Sequence, residues 1–384
     1  MLLSSILSED RKICLFDSVT YSHNAINPPI YQSSLFTFNS FKDYYNFLLS
    51  KHHQYAYARG DNPTTNIVES KLAALERGEA CRLFSSGMAA VSSALISNLK
   101  SGDHVIFINS IFKTTLTYAS FLERFNIGFT ILPYNEIQDV EKHVRTNTKV
   151  IFTESPGSIY LQVVDIKYIV AIAKKYKLLT ILDNTCLTPL YQKPLELGID
   201  ISLHSCSKYL SGHSDLMAGA IISTKEILSH IDKYAHKLHG AVISPHDSFL
   251  LLRGLRGLPS RLDTLSQSTS EVVKHPKVKH VYHPLTYNRL DKKIFDEQSL
   301  GYTGLISFDL KANNYDDVAL FIDNLDTFHI GFGFGGHENI ICAPNVDAEF
   351  QKTYPSSALI RLSLGLFDSE TIISDLRKAF DFLK

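Results

Sequence analysis

The chain has 384 residues, 45% hydrophobic and 20% charged, the balance of an ordinary water-soluble globular protein. Thirty-eight lysines and arginines against 39 acidic residues leave a net charge of −1, so no basic surface points to nucleic acid or to a membrane. Five scattered cysteines without a C-x-x-C pair argue against a disulfide framework and a zinc site and suit a reducing cytoplasm. Met1–Leu7 is apolar but short and lacks a basic leader, so it does not read as a signal peptide, and no apolar run approaches the roughly 20 residues of a membrane span.

Residues 1 to about 60 are expected to form an irregular arm with a short aromatic helix at Phe41–Leu49. An arm without a core of its own must pack on something, and a neighbouring subunit is the natural candidate. Gly60-Asp61-Asn62-Pro63 closes it with turn chemistry, and Ile67, Leu72 and Leu75 space out an amphipathic helix over 65–76. Gly87 then opens a helical run to about Leu99. Such a glycine either packs closely or lets the Gly87 and Met88 amides approach an anion, which the helix dipole favours.

Strands are expected at 104–109, 127–132 and 149–153, with a connecting helix over 137–144. Phe112, taken alone, reads as a core phenylalanine, and Glu154 as structural. A helix over 166–176 and strands over 178–182, 201–204 and 218–223 complete an alternation that implies a mostly parallel sheet covered on both faces. Helices over 227–239 and from 249 onward lead into a smaller C-terminal domain. That domain has strands at 301–310 and 359–364, a helix at 316–324 and a last helix capped by Asp368. The expected division is an arm over 1–60, a large domain over 61–255 and a small domain over 256–384.

Chemistry gathers at two strand ends. Asp183 follows a buried strand at its carboxyl end, where open α/β sheets present polar groups to ligands. Lys208 stands among Ser205 and Ser207 just beyond the next strand. A surface lysine is the ordinary reading. A lysine that can lose its proton beside a carboxylate fits instead a Schiff base on pyridoxal phosphate. Asp183 would then face the pyridinium nitrogen, and the hydroxyls of Ser205 and Ser207 would donate to the phosphate. Arg361 lies inside an apolar strand, where an unpaired charge costs several kcal/mol. It is either half of a structural salt bridge or a bidentate clamp for the α-carboxylate of an amino acid. The histidines form no metal-ligand set.

His204-Ser205-Cys206-Ser207-Lys208-Tyr209-Leu210-Ser211-Gly212-His213-Ser214-Asp215 is joined by Asp183-Asn184-Thr185, Tyr57-Ala58-Arg59-Gly60-Asp61-Asn62-Pro63-Thr64, Glu154-Ser155-Pro156-Gly157-Ser158 and Phe332–Asn339. In combination, from about Pro28 to the C-terminus, they resemble the Cys/Met-metabolism family of pyridoxal-phosphate enzymes. The resemblance implies fold type I, the aspartate aminotransferase-like α/β fold: a mostly parallel seven-stranded sheet in a large domain, with a smaller α+β domain. It also implies homodimers pairing into homotetramers and a small sulfur amino acid as substrate.

By the same resemblance, Tyr57 and Arg59 reach the cofactor phosphate of the adjacent subunit, where the planar arginine fork suits phosphate oxygens. Ser158 lies near the ring hydroxyl, and Arg361 takes the substrate carboxylate. Phe112 stands where the family usually has tyrosine, keeping a stacking face and losing the hydroxyl, and Gly333 replaces a serine. The Glu-Ser-Pro-Gly-Ser run and the aromatic Phe332 match the β-lyase branch. The implied reaction is β-elimination of L-cystathionine to homocysteine, pyruvate and ammonia. A γ-acting relative (γ-synthase, γ-lyase or O-acylhomoserine sulfhydrylase) is the alternative. A non-catalytic family member is a second, against which intact Lys208, Asp183 and Arg361 argue.

Overall fold

The computed structural model describes residues 2–17, 21–51, 54–108, 111–274, 280–312, 314–345 and 358–383. Seven strands form the larger sheet: β1 (Ala80–Phe84), β2 (His104–Ile108), β3 (Gly128–Leu132), β4 (Thr148–Glu154), β5 (Leu179–Asp183), β6 (Ile201–Ser205) and β7 (Gly219–Ser223). They lie in the order β1-β7-β6-β5-β4-β2-β3. β7 is antiparallel to both its neighbours and the remaining pairs are parallel. Alternate residues of a strand face opposite sides. Accordingly Val105 and Phe107 join one core cluster while Ile106 and Ile108 join another. Burial on both faces explains why these strands read as continuous apolar runs.

The expected helix after Gly87 is Gly87–Asn98, and that over 166–176 is Ile166–Tyr176, capped by Asp165 accepting from the Tyr168 amide at 3.1 Å. The long helix Pro245–Val272, capped by Ser244, leads from the larger sheet to the smaller one. That sheet contains β8 (Val281–Tyr282), β9 (Leu305–Leu310), β10 (Phe328–Ile330), β11 (Asn339–Cys342) and β12 (Ala358–Ser363), in the order β10-β11-β12-β9-β8. Among the described residues, no helix is long and apolar enough to cross a membrane.

Three local expectations are corrected. The chain start is not irregular: Leu2–Leu15 is a helix docked on its own chain. Asp10, fully buried, pairs with Arg77 at 2.9 Å and Lys193 at 2.8 Å, and Lys71 caps the helix end by donating to the carbonyls of Ile13, Cys14 and Phe16. An aspartate on the inward face hides the apolar period that would have announced the helix. The connection over Tyr134–His143 is a 3₁₀ helix, whose three residues per turn put buried Ile137 and Val140 in one line. Residues 301–304 are not strand. The Leu300 amide bonds the Tyr191 carbonyl at 2.7 Å and the Thr303 hydroxyl bonds Cys186 at 2.9 Å, tying the segment to the larger sheet's loops.

Among the histidines that burial keeps uncharged near neutral pH are His283 and His236. Burial pushes His283 down to about 3, and burial with the nearby Arg82 pushes His236 down to about 4. Both lie below the usual value of about 6.5, so the unfolded chain binds more protons between these limits. Stability is therefore full above about pH 6.5 and falls as pH drops from there towards 4. His283 accepts from the Leu285 amide at 3.1 Å, an N-cap that asparagine can also supply. His283→Asn should flatten the slope of unfolding free energy below pH 6.5 by up to about 1.4 kcal/mol per pH unit, measured by urea titration at several pH values.

Candidate active site

The carboxyl ends of β4, β5 and β6 lie side by side, with Glu154 opposite Asp183 and Asp183 opposite Leu203. They floor a cavity of about 350 Å³ that Gly87, Met88, Phe112, Ser158, Ser205, Ser207, Lys208 and Arg361 also line. A larger cavity of about 620 Å³ adjoins the N-terminal segment, but its two main charges, Lys71 and Asp17, neutralise each other at 2.8 Å. The chemistry is in the smaller one.

Asp183 accepts from both the amide and the hydroxyl of Thr185, and the same hydroxyl accepts from the Ser205 amide at 2.8 Å. One threonine thus locks the carboxylate to the strand that carries the lysine. Burial pushes Asp183 upward, against those two bonds and the nearby His204. Burial and the facing Asp183 push Glu154 upward as well. Glu154 accepts from the Phe112 amide at 2.7 Å and from Ser158. Burial, helped by the Arg361 charge, holds the Lys208 amine below the ordinary lysine value. That favours a neutral, nucleophilic amine.

The helix at Gly87 opens over this floor. Ser86 takes the Ala89 amide at 3.0 Å, which leaves the first two amides, of Gly87 and Met88, without an intrahelical acceptor. A Cβ on Gly87 would lie 2.8 Å from that of Ser205, so this glycine is also required by packing. Ser207 lines the cavity, yet its hydroxyl already accepts from the Ala218 amide at 2.9 Å and donates to the Ala218 carbonyl at 3.3 Å.

Arg361, 5% exposed, has no carboxylate partner among the described residues, so the expected structural salt bridge is not found there. Its guanidinium donates to the carbonyls of Ser158 at 3.3 Å and Phe332 at 2.6 Å, and its Nε is buried with no partner. A buried cation held by carbonyls with a donor to spare is suited to an incoming carboxylate.

Tyr57 and Arg59 are not brought here. Arg59 donates to the Lys237 carbonyl and lies 5.6 Å above the ring of the half-exposed Tyr57, beside a separate cleft. Phe112 lines the cavity but is half exposed, not a core residue. Sequence reasoning gave no role to Thr185 or Phe334. Thr185 could have been found from its place two residues after a strand-end aspartate, a common side-chain turn. Phe334 comes from the loop between β10 and β11, and no comparable turn signal marks it.

Three groups converge on one cavity: an amine held below its ordinary pKa, a carboxylate locked by Thr185, and a helix opening with free amides beside the Ser205 hydroxyl. This set fits a flat cationic ring bearing an aldehyde and a phosphate.

The sequence matches the family described as Cys/Met metabolism PLP-dependent enzyme over residues 16–381. It is 34% identical over 367 residues to an L-methionine gamma-lyase of Fusobacterium nucleatum subsp. polymorphum, covering 92% of this chain and 93% of the relative. It is also 34% identical over 368 residues to a cystathionine beta-lyase of Bacillus subtilis, covering 92% and 91%. Among solved structures, a putative O-acetylhomoserine (thiol)-lyase of Campylobacter jejuni superposes with a TM-score of 0.87 at 28% identity, covering 97% of this chain and 99% of that one. That protein carries a pyridoxyl-lysine monophosphate.

Thr185→Val removes a hydroxyl with two buried bonds and should lower unfolding free energy by about 1–3 kcal/mol, while Thr185→Ser should stay within about 1 kcal/mol of the parent. Urea unfolding of both variants checks this.

Proposed function

Because the chain belongs to the Cys/Met metabolism PLP-dependent enzymes, whose members are carbon–sulfur lyases and synthases acting on sulfur amino acids, we propose that it eliminates across the Cα–Cβ bond of L-cystathionine. The products are homocysteine, pyruvate and ammonia. The observation that carries this reading is the chemistry of the cavity mouth. Phe112 and Phe332, 50% and 80% exposed, line it without an acid or a base. Chemistry at Cγ needs a further proton shuttle at Cβ. Glu154 is engaged with the Phe112 amide and Ser158.

Arg361 binds the α-carboxylate of the substrate and sets its Cα beside Lys208. The Lys208 amine, kept below its ordinary pKa, removes the proton from Cα and holds it on Nζ. Asp183, fixed by Thr185, is the anionic partner for a ring nitrogen. Bound pyridoxal phosphate supplies the electron sink and, by its aldehyde, the covalent link to an amine. Gly87, Met88 and Ser205 would hold its phosphate, with Ser207 close by, and Ser158 its ring hydroxyl. The leaving group is a thiolate, whose acid has a pKa of about 8.5, so it departs with little proton assistance. A phenylalanine at 112 is compatible with that step.

Tyr57 and Arg59 would complete the phosphate site of a second copy of the chain. Support comes from the arm that carries them, where Ile26, Leu35 and Phe41 are 89%, 62% and 78% exposed and call for cover.

One observation favours a second reading, cleavage of an uncharged thioether such as L-methionine. Met217 joins Phe112 and Phe332 around the cavity, and all three are apolar. The methionine gamma-lyase relative points the same way.

Assay of the purified chain with pyridoxal phosphate and L-cystathionine should yield pyruvate; formation of 2-oxobutyrate instead would overturn the β assignment. Lys208→Ala should lose the visible absorbance of the loaded enzyme and about 10²–10⁴-fold in turnover. Arg361→Lys should raise KM roughly tenfold or more, because the bidentate fork is lost.

A further inference from the structure

The loop from Phe332 to Glu338 is fastened to the lysine turn from several sides. Gly335, at φ +83°, comes so near that a Cβ there would lie 2.5 Å from the Tyr209 nitrogen. Its own amide donates to the Ser363 hydroxyl at 3.2 Å, and the Glu338 carboxylate accepts from the Ser214 hydroxyl. Arg361 holds the other end through the Phe332 and Gly333 carbonyls.

This fixes Phe334. Its ring packs on that of Tyr209, centroids 5.6 Å apart, and against Leu161, Cys186 and Leu305. Two basic groups share this ring: Lys208 Nζ lies 5.1 Å from its centroid and the Arg361 guanidinium carbon 5.6 Å. A cation within about 6 Å of an aromatic face is attracted by its quadrupole, and more strongly once desolvated. Lys208 Nζ has no hydrogen-bond or ion-pair partner among the described residues, and adjacent Gly333 has no side chain to offer one. Whenever the amine carries its proton, the ring therefore supplies attraction that offsets repulsion from the guanidinium.

We propose that Phe334 is a positioning residue whose ring face holds the free amine of Lys208 and the guanidinium of Arg361 at a fixed separation across the substrate's Cα. The proposal rests on Lys208 as the amine that moves the Cα proton and on Arg361 as the carboxylate anchor. Around the amine stand Arg361 from β12, the Cys186 thiol beyond β5, and the strand-end carboxyls Asp183 and Glu154. None of these is changed by a substitution on the ring itself.

The test replaces Phe334 in the full chain by mono-, di- and trifluorinated phenylalanine, which weaken the face charge with little change of shape, and by leucine. Two quantities are read. One is the pH midpoint for labelling of Lys208 by an amine-selective reagent in the cofactor-free full chain, located by peptide mass. The other is KM against kcat in the loaded enzyme. The expected result is a stepwise fall in the labelling midpoint with each fluorine, reaching about one pH unit, and a parallel rise in KM to about tenfold.

A midpoint and KM that stay flat across the fluorinated series, with loss only in Phe334→Leu, would overturn the proposal and leave the ring a space-filling role. The labelling series needs no turnover. A chain that failed to cleave cystathionine would sink the β-lyase reading while the labelling still decided the role of Phe334.

Discussion

The parallel register of β5 against β6 is the constraint on which the cavity depends. Asp183 sits opposite Leu203, the Asn184 amide continues the ladder to the Leu203 carbonyl at 2.8 Å, and Thr185 then bonds Ser205. Side chains alternate along a strand, so a slip of one residue would turn Asp183 to the far face. The carboxylate and the lysine would then open on opposite sides of the sheet. No later adjustment of loops could bring them together again.

The two faces of these strands treat charge differently. On the far face Glu76 is fully buried, and its Oε1 receives the Asn184 side-chain Nδ2 at 2.9 Å, the Ser202 hydroxyl at 3.0 Å and the ring of His204. That is the ordinary requirement for burying a carboxylate: donors aimed at it from within the protein. On the cavity face the same satisfaction is withheld. Asp183 has Thr185 but no cation within ion-pair distance among the described residues, and Lys208 and Arg361 have no anion. A carboxylate, an amine and a guanidinium gathered around one cavity without charge pairing mark a place kept for a ligand.

Much of this was legible in the sequence because it is local. The strands at 104–108, 179–183 and 201–205 are apolar runs buried on both faces, and Asp183 and Lys208 announce themselves as polar residues at strand ends. The helix Leu2–Leu15 was hidden by Asp10, whose charge is met by Arg77 and Lys193 from elsewhere in the chain. β1 was concealed by Arg82, which reaches Glu69 at 3.3 Å and Asp232 at 2.6 Å. Phe334 was out of reach for a further reason. Its meaning lies in two basic side chains, one from the turn after β6 and one from β12, and no pattern within its own segment encodes them. Tyr57 and Arg59 belong to the same class, since a single chain holds them away from the cavity their motif points to.

The contact at Gly335 has a mechanical consequence. Main-chain atoms of the Gly335 loop and of the Lys208–Tyr209 turn lie against each other there without an intervening side chain, so neither segment can shift toward the other without displacing its backbone.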